Sequence, residues 1–254
     1  MRAAGPRLAG ISIVLPCHDE AGNVERMVAE ATAAARAVAD AHEILIVDDG
    51  SRDPTRAVAQ AEADRDPRVR LLVHEVNRGY GAALRTGFAA ARLEWVFLTD
   101  ADCQFDLMEL TAAAPLALSC DLVCGYRVHR ADPLHRRLNA RAWNRLVRST
   151  FGGLGVRDVD CAFKLMRRDL VQALPLQADG AVVSTELIVR ARMAGARIGE
   201  LGVTHRPRAA GRSSGASPAV VLRAFRELRA LRAGLRAEAA GGATTSGAAR
   251  PRTA

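Results

Sequence analysis

The sequence lacks long hydrophobic runs, has few aromatic residues and offers no cysteine framework. Apolar segments such as Ile44–Val47 and Val96–Leu98 are far shorter than the ~18–20 residues of a membrane-spanning helix, so no spanning helix is predicted. The five cysteines are odd in number and form no CxxC pair. This pattern disfavours a disulfide scaffold and favours reduced thiols in the cytoplasm.

Positive charge is abundant but unevenly distributed. The 254 residues carry a net charge of +8, yet residues 1–125 hold 12 basic against 19 acidic side chains, a net −7. Residues 126–254 hold 24 basic against 9 acidic side chains, a net +15, and Lys164 is the only lysine. A basic half suggests an anionic partner: nucleic acid, an anionic membrane or a phosphorylated substrate. A nucleic-acid-binding module ranks lowest, because it would interleave basic residues with exposed aromatics, and only 4% of residues are aromatic.

Periodicity predicts an α/β fold. Short β-rich segments alternate with alanine-rich helical ones, which is typical of a mostly parallel central sheet flanked by helices. The predicted strands are Ile11–Leu15, Glu43–Val47, Val69–Val73, Glu94–Leu98, Asp121–Cys124, Cys161–Met166 and Arg197–Val203. The predicted helices are Val24–Ala39, Thr55–Ala63, Ala82–Arg92, Leu107–Leu118, Leu134–Arg148 and Thr185–Ala194.

Three regions are predicted along the chain: a single domain over residues 1–216, a basic amphipathic helix over residues 217–238 and a disordered tail over residues 239–254. Apolar residues recur at helical spacing in the second region, from Val221 to Leu235, and arginines lie mostly off this stripe. The helix either lies on an anionic lipid surface or packs against the domain or a partner. The tail is rich in Gly, Ala and Thr, a composition typical of disorder.

Polar or glycine-rich clusters directly follow each of the first four predicted strands. Ligands of open α/β sheets bind outside the carboxyl ends of the strands, so these clusters are expected to form one site. In chain order they are Pro16-Cys17-His18-Asp19-Glu20, Asp48-Asp49-Gly50-Ser51, Asn77-Arg78-Gly79-Tyr80-Gly81 and Asp100-Ala101-Asp102-Cys103-Gln104.

Asp100 and Asp102 carry the sharpest signal. Residues two apart in an extended segment point the same way, and two carboxylates at a strand end suit Mg²⁺ or Mn²⁺, which also bind substrate phosphates. Gln104 is close enough along the chain to supply another oxygen. The alternative is a turn with solvated aspartates. The acidic pair at Asp48 and Asp49 similarly suits a ribose or a base, although the segment also has the composition of a helix N-cap.

Taken in this order, the four clusters resemble those of the family 2 glycosyltransferases, which have the nucleotide-sugar-binding (GT-A) fold. Later segments resemble the polyprenol-phosphate sugar transferases, the dolichol-phosphate-mannose-synthase-like branch. These segments are Gly125-Tyr126-Arg127, Leu134-His135-Arg136-Arg137, Asp158-Val159-Asp160-Cys161-Ala162-Phe163-Lys164 and Arg208-Ala209-Ala210-Gly211-Arg212-Ser213. The resemblance covers residues 10–215 and implies a single GT-A domain, which the amphipathic helix predicted from its own periodicity follows.

The resemblance also implies roles for individual residues. The positions that match donor-binding residues are Pro16, His18, Glu20, Val47, Asp49, Asp100 and Ala101. His18 stands where the family usually has an aromatic Tyr. Asp100 and Asp102 match the carboxylates that bind the metal ion and the diphosphate, and Gln104 matches a further metal ligand of some members. The basic residues that match contacts to donor or acceptor phosphates are Arg127, Arg136 and Arg208.

The reaction that the resemblance implies is inverting transfer from a GDP-mannose- or UDP-glucose-type donor to a polyprenyl phosphate. A divalent ion would stabilise the leaving diphosphate, and the arginines would add positive charge. A phosphate acceptor is already anionic, whereas a hydroxyl acceptor, whether soluble or a cell-envelope precursor, needs a base. The candidate bases are then Asp158, Asp160 and Glu186.

The predicted location is the cytoplasm. A lipid acceptor would bring the protein to the inner face of the plasma membrane as a peripheral protein. It would bind there through its own surface, through a membrane-protein partner or as a homo-oligomer.

Overall fold

The computed structural model describes residues 7–130, 134–207 and 218–245. The chain divides into two compact units, Met1–Ser213 and Ser214–Ala254. The first unit contains a sheet with helices on it, and the described part of the second is one helix. Arg208, a predicted phosphate contact, lies outside the described residues.

The sheet has seven strands and is mostly parallel, as predicted. Its strands are β1 (Leu8–Cys17), β2 (Ala39–Asp49), β3 (Val69–His74), β4 (Trp95–Leu98), β5 (Leu122–Arg130), β6 (Lys164–Arg167) and β7 (Ile198–His205). They lie in the order β3-β2-β1-β4-β6-β5-β7. β1 pairs in parallel with β2 and β4, β2 with β3, and β5 with β7. Among the described strands, β6 alone runs antiparallel to its neighbours.

Helices connect most of the strands. They are α1 (Ala21–Val38), α2 (Thr55–Arg65), α3 (Tyr80–Ala90), α4 (Leu110–Ala113), α5 (Leu134–Phe151), α6 (Arg168–Ala173) and α7 (Val183–Met193), and the second unit contributes α8 (Pro218–Thr245). In the part of the chain that the structure describes, no helix combines the length and apolar character needed to cross a bilayer.

The central strands are buried on both faces. Ile13 of β1 is in register with Ile44 of β2 and with Phe97 of β4, and all three side chains are fully buried. Such continuous apolar strands are typical of parallel sheets covered by helices on both sides. Because β2 and β3 lie on one side of β1 and β4 lies on the other, the strand order reverses next to β1. A crevice for ligands is expected at the carboxyl ends of the strands on either side of such a reversal.

One predicted helix is broken in the structure, and one observed helix was not predicted. The predicted helix Leu107–Leu118 is broken into a 3-10 helix (Leu107–Glu109), α4 and a second 3-10 helix (Ala114–Leu118). Pro115 lies at the start of the last piece, and proline has no amide hydrogen and clashes with the preceding turn. Helix α6, which directly follows β6, is not predicted from the sequence.

The amphipathic helix is longer than predicted. It runs from Pro218 to Thr245, so residues 239–245 of the predicted disordered tail are helical. The alanines at positions 239, 240 and 243 have the highest helix propensity of any residue, which accounts for the extension. Within the helix, Arg223 Nε lies 2.7 Å from Glu227 Oε1 one turn on. Residues 246–254 lie outside the described residues.

Candidate active site

The loops after β1 and β2 are hydrogen-bonded to each other at the carboxyl edge of the sheet. The main-chain nitrogen of Asp19 donates to Ser51 Oγ (3.0 Å), and the Arg52 nitrogen donates to Asp19 Oδ1 (2.7 Å). The Glu20 nitrogen donates to Thr55 Oγ1 at 2.8 Å. Asp19 has a left-handed backbone (φ 55°), a conformation in which Asp is enriched among non-glycine residues. The first two predicted clusters therefore form one continuous surface.

Asp49 organises the loop after β3. Its Oδ2 accepts the Gly79 amide (2.8 Å), and its Oδ1 accepts the Arg78 amide (2.9 Å) and lies 2.7 Å from His74 Nδ1. Gly50 beside it has φ +67°, and a Cβ there would lie 2.4 Å from the main chain of Val76 and Asn77. The third cluster is thereby tied to the second, and contact of Asp49 with a nucleotide stays a prediction.

The remaining donor-binding predictions for these loops differ in exposure. Pro16 and Val47 are register partners on β1 and β2. The Val47 side chain is fully buried, and its Cγ2 lies 3.2 Å from where a Cβ at Gly87 of α3 would be. Helix α3 therefore packs on this face of β2, and contact of Val47 with a donor stays a prediction. His18 is exposed and Glu20 half-buried.

Asp100 and Asp102 lie just beyond β4, and the Tyr80 hydroxyl at the start of α3 donates to Asp100 Oδ1 (2.9 Å). The main-chain nitrogen of Gln104 donates to Asp102 Oδ1 (3.2 Å) across a turn in which Cys103 has φ 58°. Burial, followed by the charges of Asp100, Asp102 and Asp160, raises the pKa of Tyr80 well above its ordinary value. The Tyr80 hydroxyl therefore contacts one carboxylate of the predicted metal-binding pair, and the charge of Asp160, from a distant part of the sequence, also acts on it.

The residues at this turn fit a substrate-linked divalent ion. Among the described residues, no group of three or more His, Cys, Asp or Glu side chains could hold a metal ion alone. Mg²⁺ commonly uses one or two carboxylates together with waters and substrate phosphates, which is the donor set that Asp100 and Asp102 provide. The Gln104 side chain donates through Nε2 to the Arg206 carbonyl oxygen (3.0 Å). It therefore ties this turn to the segment after β7, and its predicted role as a metal ligand stays a prediction.

Arg127 and Asp158 form a buried bidentate ion pair. Arg127 Nε lies 2.7 Å from Asp158 Oδ2, and Nη2 lies 2.8 Å from Oδ1. Burial lowers the pKa of Arg127, but the hydrogen bonds and charge of Asp158 outweigh burial and raise it. A carboxylate held by a guanidinium is stabilised as the anion and is a weak base. Both Asp158 oxygens accept hydrogen bonds from the arginine, and a role of Asp158 as a base for a hydroxyl acceptor stays a prediction.

Asp160, two residues on, has a different environment. Burial and then the charge of Asp158 raise the pKa of Asp160 to about 6, against the opposing charges of Lys164 and Arg127 and a hydrogen bond with Trp143. A pKa near neutrality suits a general base, and the role of Asp160 as a base for a hydroxyl acceptor stays a prediction. Arg136 lies on α5, but the structure does not describe its side chain.

Glu186 anchors a loop, and its role as a base for a hydroxyl acceptor stays a prediction. Its Oε2 accepts the amides of Gln177 (2.9 Å) and Ala178 (2.8 Å), and its Oε1 lies 2.8 Å from Arg190 Nε. The loop packs on the start of α3, where the Gly81 amide donates to the Asp179 carbonyl oxygen (2.8 Å). The carboxylate is fully buried. Its hydrogen bonds to the two main-chain amides and to Arg190 meet the requirement that a buried polar group has partners.

Sequence reasoning assigned no role to Tyr80, Asn144 or the Lys164 side chain. Tyr80 holds Asp100, Asn144 Oδ1 accepts the Val159 amide (3.1 Å), and Lys164 Nζ donates to the Val159 carbonyl oxygen (3.0 Å). A signal existed for Lys164, since it is the only lysine in a chain with many arginines. Tyr80 stands in the third loop cluster, where the cluster as a whole was the signal, and Asn144 stands in a stretch of α5 with no distinctive pattern.

The chain has sequence relatives among known glycosyltransferases. Over 168 residues the chain is 35% identical to an undecaprenyl-phosphate 4-deoxy-4-formamido-L-arabinose transferase of Pseudomonas paraeruginosa, covering 65% of this chain and 49% of that protein. Over 219 residues it is 32% identical to glycosyltransferase AglD of Haloferax volcanii, covering 82% of this chain and 35% of that protein. The chain thus spans half or less of the length of these curated relatives.

A solved structure shares the fold. The glucosyl-3-phosphoglycerate synthase of Mycobacterium tuberculosis, crystallised with Mn²⁺, uridine diphosphate and phosphoglyceric acid, superposes with a TM-score of 0.70 at 20% identity, covering 88% of this chain and 78% of that one. The likeness supports a GT-A-type α/β domain. The sequence model of glycosyl transferase family 2 matches residues 12–174, which include all four loop clusters and the Asp158–Lys164 segment. The chain therefore belongs to glycosyl transferase family 2.

Proposed function

We propose that this protein transfers a hexose, with inversion, from a nucleotide-sugar donor of the GDP-mannose or UDP-glucose type to a polyprenyl phosphate. The observation that carries the proposal is the pair Asp100 and Asp102 at the end of β4, next to the interlocked loops after β1 and β2. A relative 35% identical to this chain is named an undecaprenyl-phosphate sugar transferase.

The donor would lie across the loops after β1, β2 and β4. A divalent ion, Mg²⁺ or Mn²⁺, would be held by Asp100 and Asp102 and would act as a Lewis acid towards the diphosphate. Tyr80 holds the Asp100 carboxylate in place through its hydroxyl. The hydrogen bonds that the Arg78 and Gly79 main-chain amides donate to the Asp49 carboxylate keep the third loop beside the donor. Such preorganisation lowers the cost of reorganisation during the reaction.

The engagement of the candidate bases favours a phosphate acceptor. Asp158 is occupied by Arg127, and Glu186 by two amides and Arg190. A phosphate monoester is anionic near neutral pH and attacks without losing a proton to a strong base. The second candidate function, transfer to a hydroxyl, is favoured only by Asp160, whose pKa of about 6 suits a general base.

The basic charge of the second half of the chain, +15 over residues 126–254, suits a membrane surface with anionic lipids. Helix α8 carries Arg223, Arg226 and Arg229 within two turns, and we assign to it a peripheral contact with the inner face of the membrane. A membrane-protein partner or a second copy of the chain would serve the same end.

The test is a radiolabelled-sugar transfer assay. GDP-mannose and UDP-glucose are each offered with polyprenyl phosphate, and separately with a polyprenol that lacks the phosphate, with and without Mn²⁺ or Mg²⁺. The proposal predicts metal-dependent label in the lipid phase from the phosphate acceptor alone, and its loss in Asp102→Ala. Label on the polyprenol would favour the hydroxyl reaction. Absence of binding or turnover with every common nucleotide sugar would overturn the assignment.

A further inference from the structure

Lys164 is a completely buried ammonium group at the edge of the sheet that carries the site. It is the first residue of β6, in register with Leu98 of β4 and Cys124 of β5. Because Leu98 is the last residue of β4, Lys164 lies at the same edge as Asp100 and Asp102. Burying an ammonium group is costly, and an apolar residue of similar volume often replaces a buried charge without loss of stability. The charge therefore calls for a reason other than packing.

The ammonium group holds a turn of the main chain. Lys164 Nζ donates to the carbonyl oxygens of Val159 (3.0 Å) and Cys161, the two residues that flank Asp160. Two further contacts hold the same turn. The Arg127 guanidinium donates to the Asp158 carboxylate, and the Val159 main-chain amide donates to Asn144 Oδ1 (3.1 Å). Residues of β5, α5 and β6 thus hold the turn. The contacts from β6 are made to the residues directly before and after Asp160.

The charge of Lys164 also acts on Asp160. The charged or polar groups that influence Asp160 come from four elements and the turn itself, and they are Tyr80, Arg127, Trp143, Asp158 and Lys164. Asp158 disfavours the ionised form, whereas Lys164 and Arg127 favour it. Arg127 forms an ion pair with Asp158, whereas Lys164 hydrogen-bonds to two main-chain carbonyl oxygens. The positive charge of Lys164 is therefore not paired with a described carboxylate.

We propose that Lys164 is a positioning residue of the transfer site, which fixes the Asp158–Cys161 turn, and with it the Asp160 carboxylate, at the edge of the sheet where β4 ends. Lys164 is too deeply buried to touch a substrate, so it acts through Asp160. This role rests on the proposed sugar transfer, because the site that Lys164 would position is the site of that reaction.

The first test uses the intact protein. Because Lys164 is the only lysine, labelling with ¹⁵N-lysine gives a single side-chain ammonium resonance. The proposal predicts that this resonance shifts with pH with a midpoint near 6, the pKa of Asp160, and that the titration disappears in Asp160→Asn. A resonance that does not titrate between about pH 5 and 7, or that titrates unchanged in Asp160→Asn, would overturn the proposal. This readout needs neither donor nor acceptor.

The second test compares Lys164→Met with Leu165→Ala. Leu165 is the next residue of β6 and is also fully buried, so its truncation is a control for lost strand stability. In Lys164→Met, kcat is expected to fall about 10–100-fold, as for misplaced groups near a reacting centre, and the acidic limb of the pH–rate profile is expected to move to higher pH. Leu165→Ala is expected to lower Tm without moving that limb.

The two tests separate the inference from the proposed function. If the lysine resonance reports Asp160 but no sugar is transferred from any donor, the proposed function fails and the coupling between the two residues stands. If transfer occurs and Lys164→Met moves Tm alone, with the pH profile of the wild type, the positioning role is wrong. Should Lys164→Met not fold, the resonance of the wild-type protein still decides the matter.

Discussion

The Tyr80 hydroxyl lies 2.9 Å from Asp100 Oδ1, and this hydrogen bond joins the start of α3 to the turn after β4. A hydrogen bond to one carboxylate oxygen restricts the rotation of the whole group. Carboxylates that ligate metal ions are themselves commonly held in this way. Tyr80 thus links the glycine-rich loop after β3 to the aspartate pair predicted to bind the ion.

Tyr80→Phe is expected to weaken the apparent affinity for Mn²⁺ in the presence of UDP about tenfold, because loss of such a partner leaves the Asp100 carboxylate less well oriented. The measurement is a Mn²⁺ titration followed by electron paramagnetic resonance. The matched control is Tyr126→Phe, which removes the hydroxyl of the other tyrosine in the chain. Equal Mn²⁺ affinities for Tyr80→Phe and the wild type would contradict the prediction.

The substitution Glu186→Gln tests whether Glu186 anchors a loop or acts as a general base. The carboxylate binds two amides and Arg190 in a buried site, and disrupting a buried charged pair typically costs about 3–5 kcal/mol. We expect a large loss of unfolding free energy in urea and a lower Tm, with residual activity in the fraction that stays folded. Full stability together with complete loss of kcat would instead identify Glu186 as the base.

Asp160 should make stability depend on pH in the opposite sense to an ordinary ion-paired aspartate. Its pKa rises from an ordinary value of 3.8 to about 6 in the folded protein, so the folded state binds more protons and loses stability as pH rises through this interval. In the wild type we expect the free energy of unfolding to fall by about 1–3 kcal/mol between pH 4 and 6 because of this group. In Asp160→Asn we expect this fall to be absent. Urea unfolding at several pH values measures it.

The control for this titration is Asp64→Asn, which replaces an exposed carboxylate on α2. It should leave the pH dependence of unfolding as it is in the wild type. If Asp160→Asn also leaves that dependence unchanged, Asp160 does not have a raised pKa in the folded protein.

Gly81→Ala tests the packing of the Glu186 loop on α3. A Cβ at position 81 would lie 2.0 Å from the Ala178 carbonyl oxygen, so the loop must move away from Tyr80. Overpacking of this kind costs about 1–3 kcal/mol, and we expect a lower Tm together with a higher KM for the donor. In Gly234→Ala a Cβ meets nothing within 4 Å, and that variant should be as stable as the wild type or more so. A neutral Gly81→Ala would contradict the packing described here.

Much of the fold follows from local patterns. The alternation of apolar strands and alanine-rich helices predicts β1–β4 and α1–α3, because each element needs only its own periodicity to be recognised. The break of Leu107–Leu118 into three short pieces was also within reach, since Pro115 disfavours a continuous helix. The end of α8 does not follow from local patterns, because Gly241 and Gly242 favour a helix end whereas the structure continues the helix through them to Thr245.

The sequence by itself determined the chemistry available at the site: four polar loops, two aspartates at strand spacing and a basic second half. Only the tertiary structure decided which of these groups pair. Arg127 and Asp158 are 31 residues apart, and Tyr80 and Asp100 are 20 apart. A carboxylate becomes a structural anchor, a metal ligand or a base according to its burial and to the donors around it. With 35 arginines in the chain, only the fold selects which of them reaches which carboxylate.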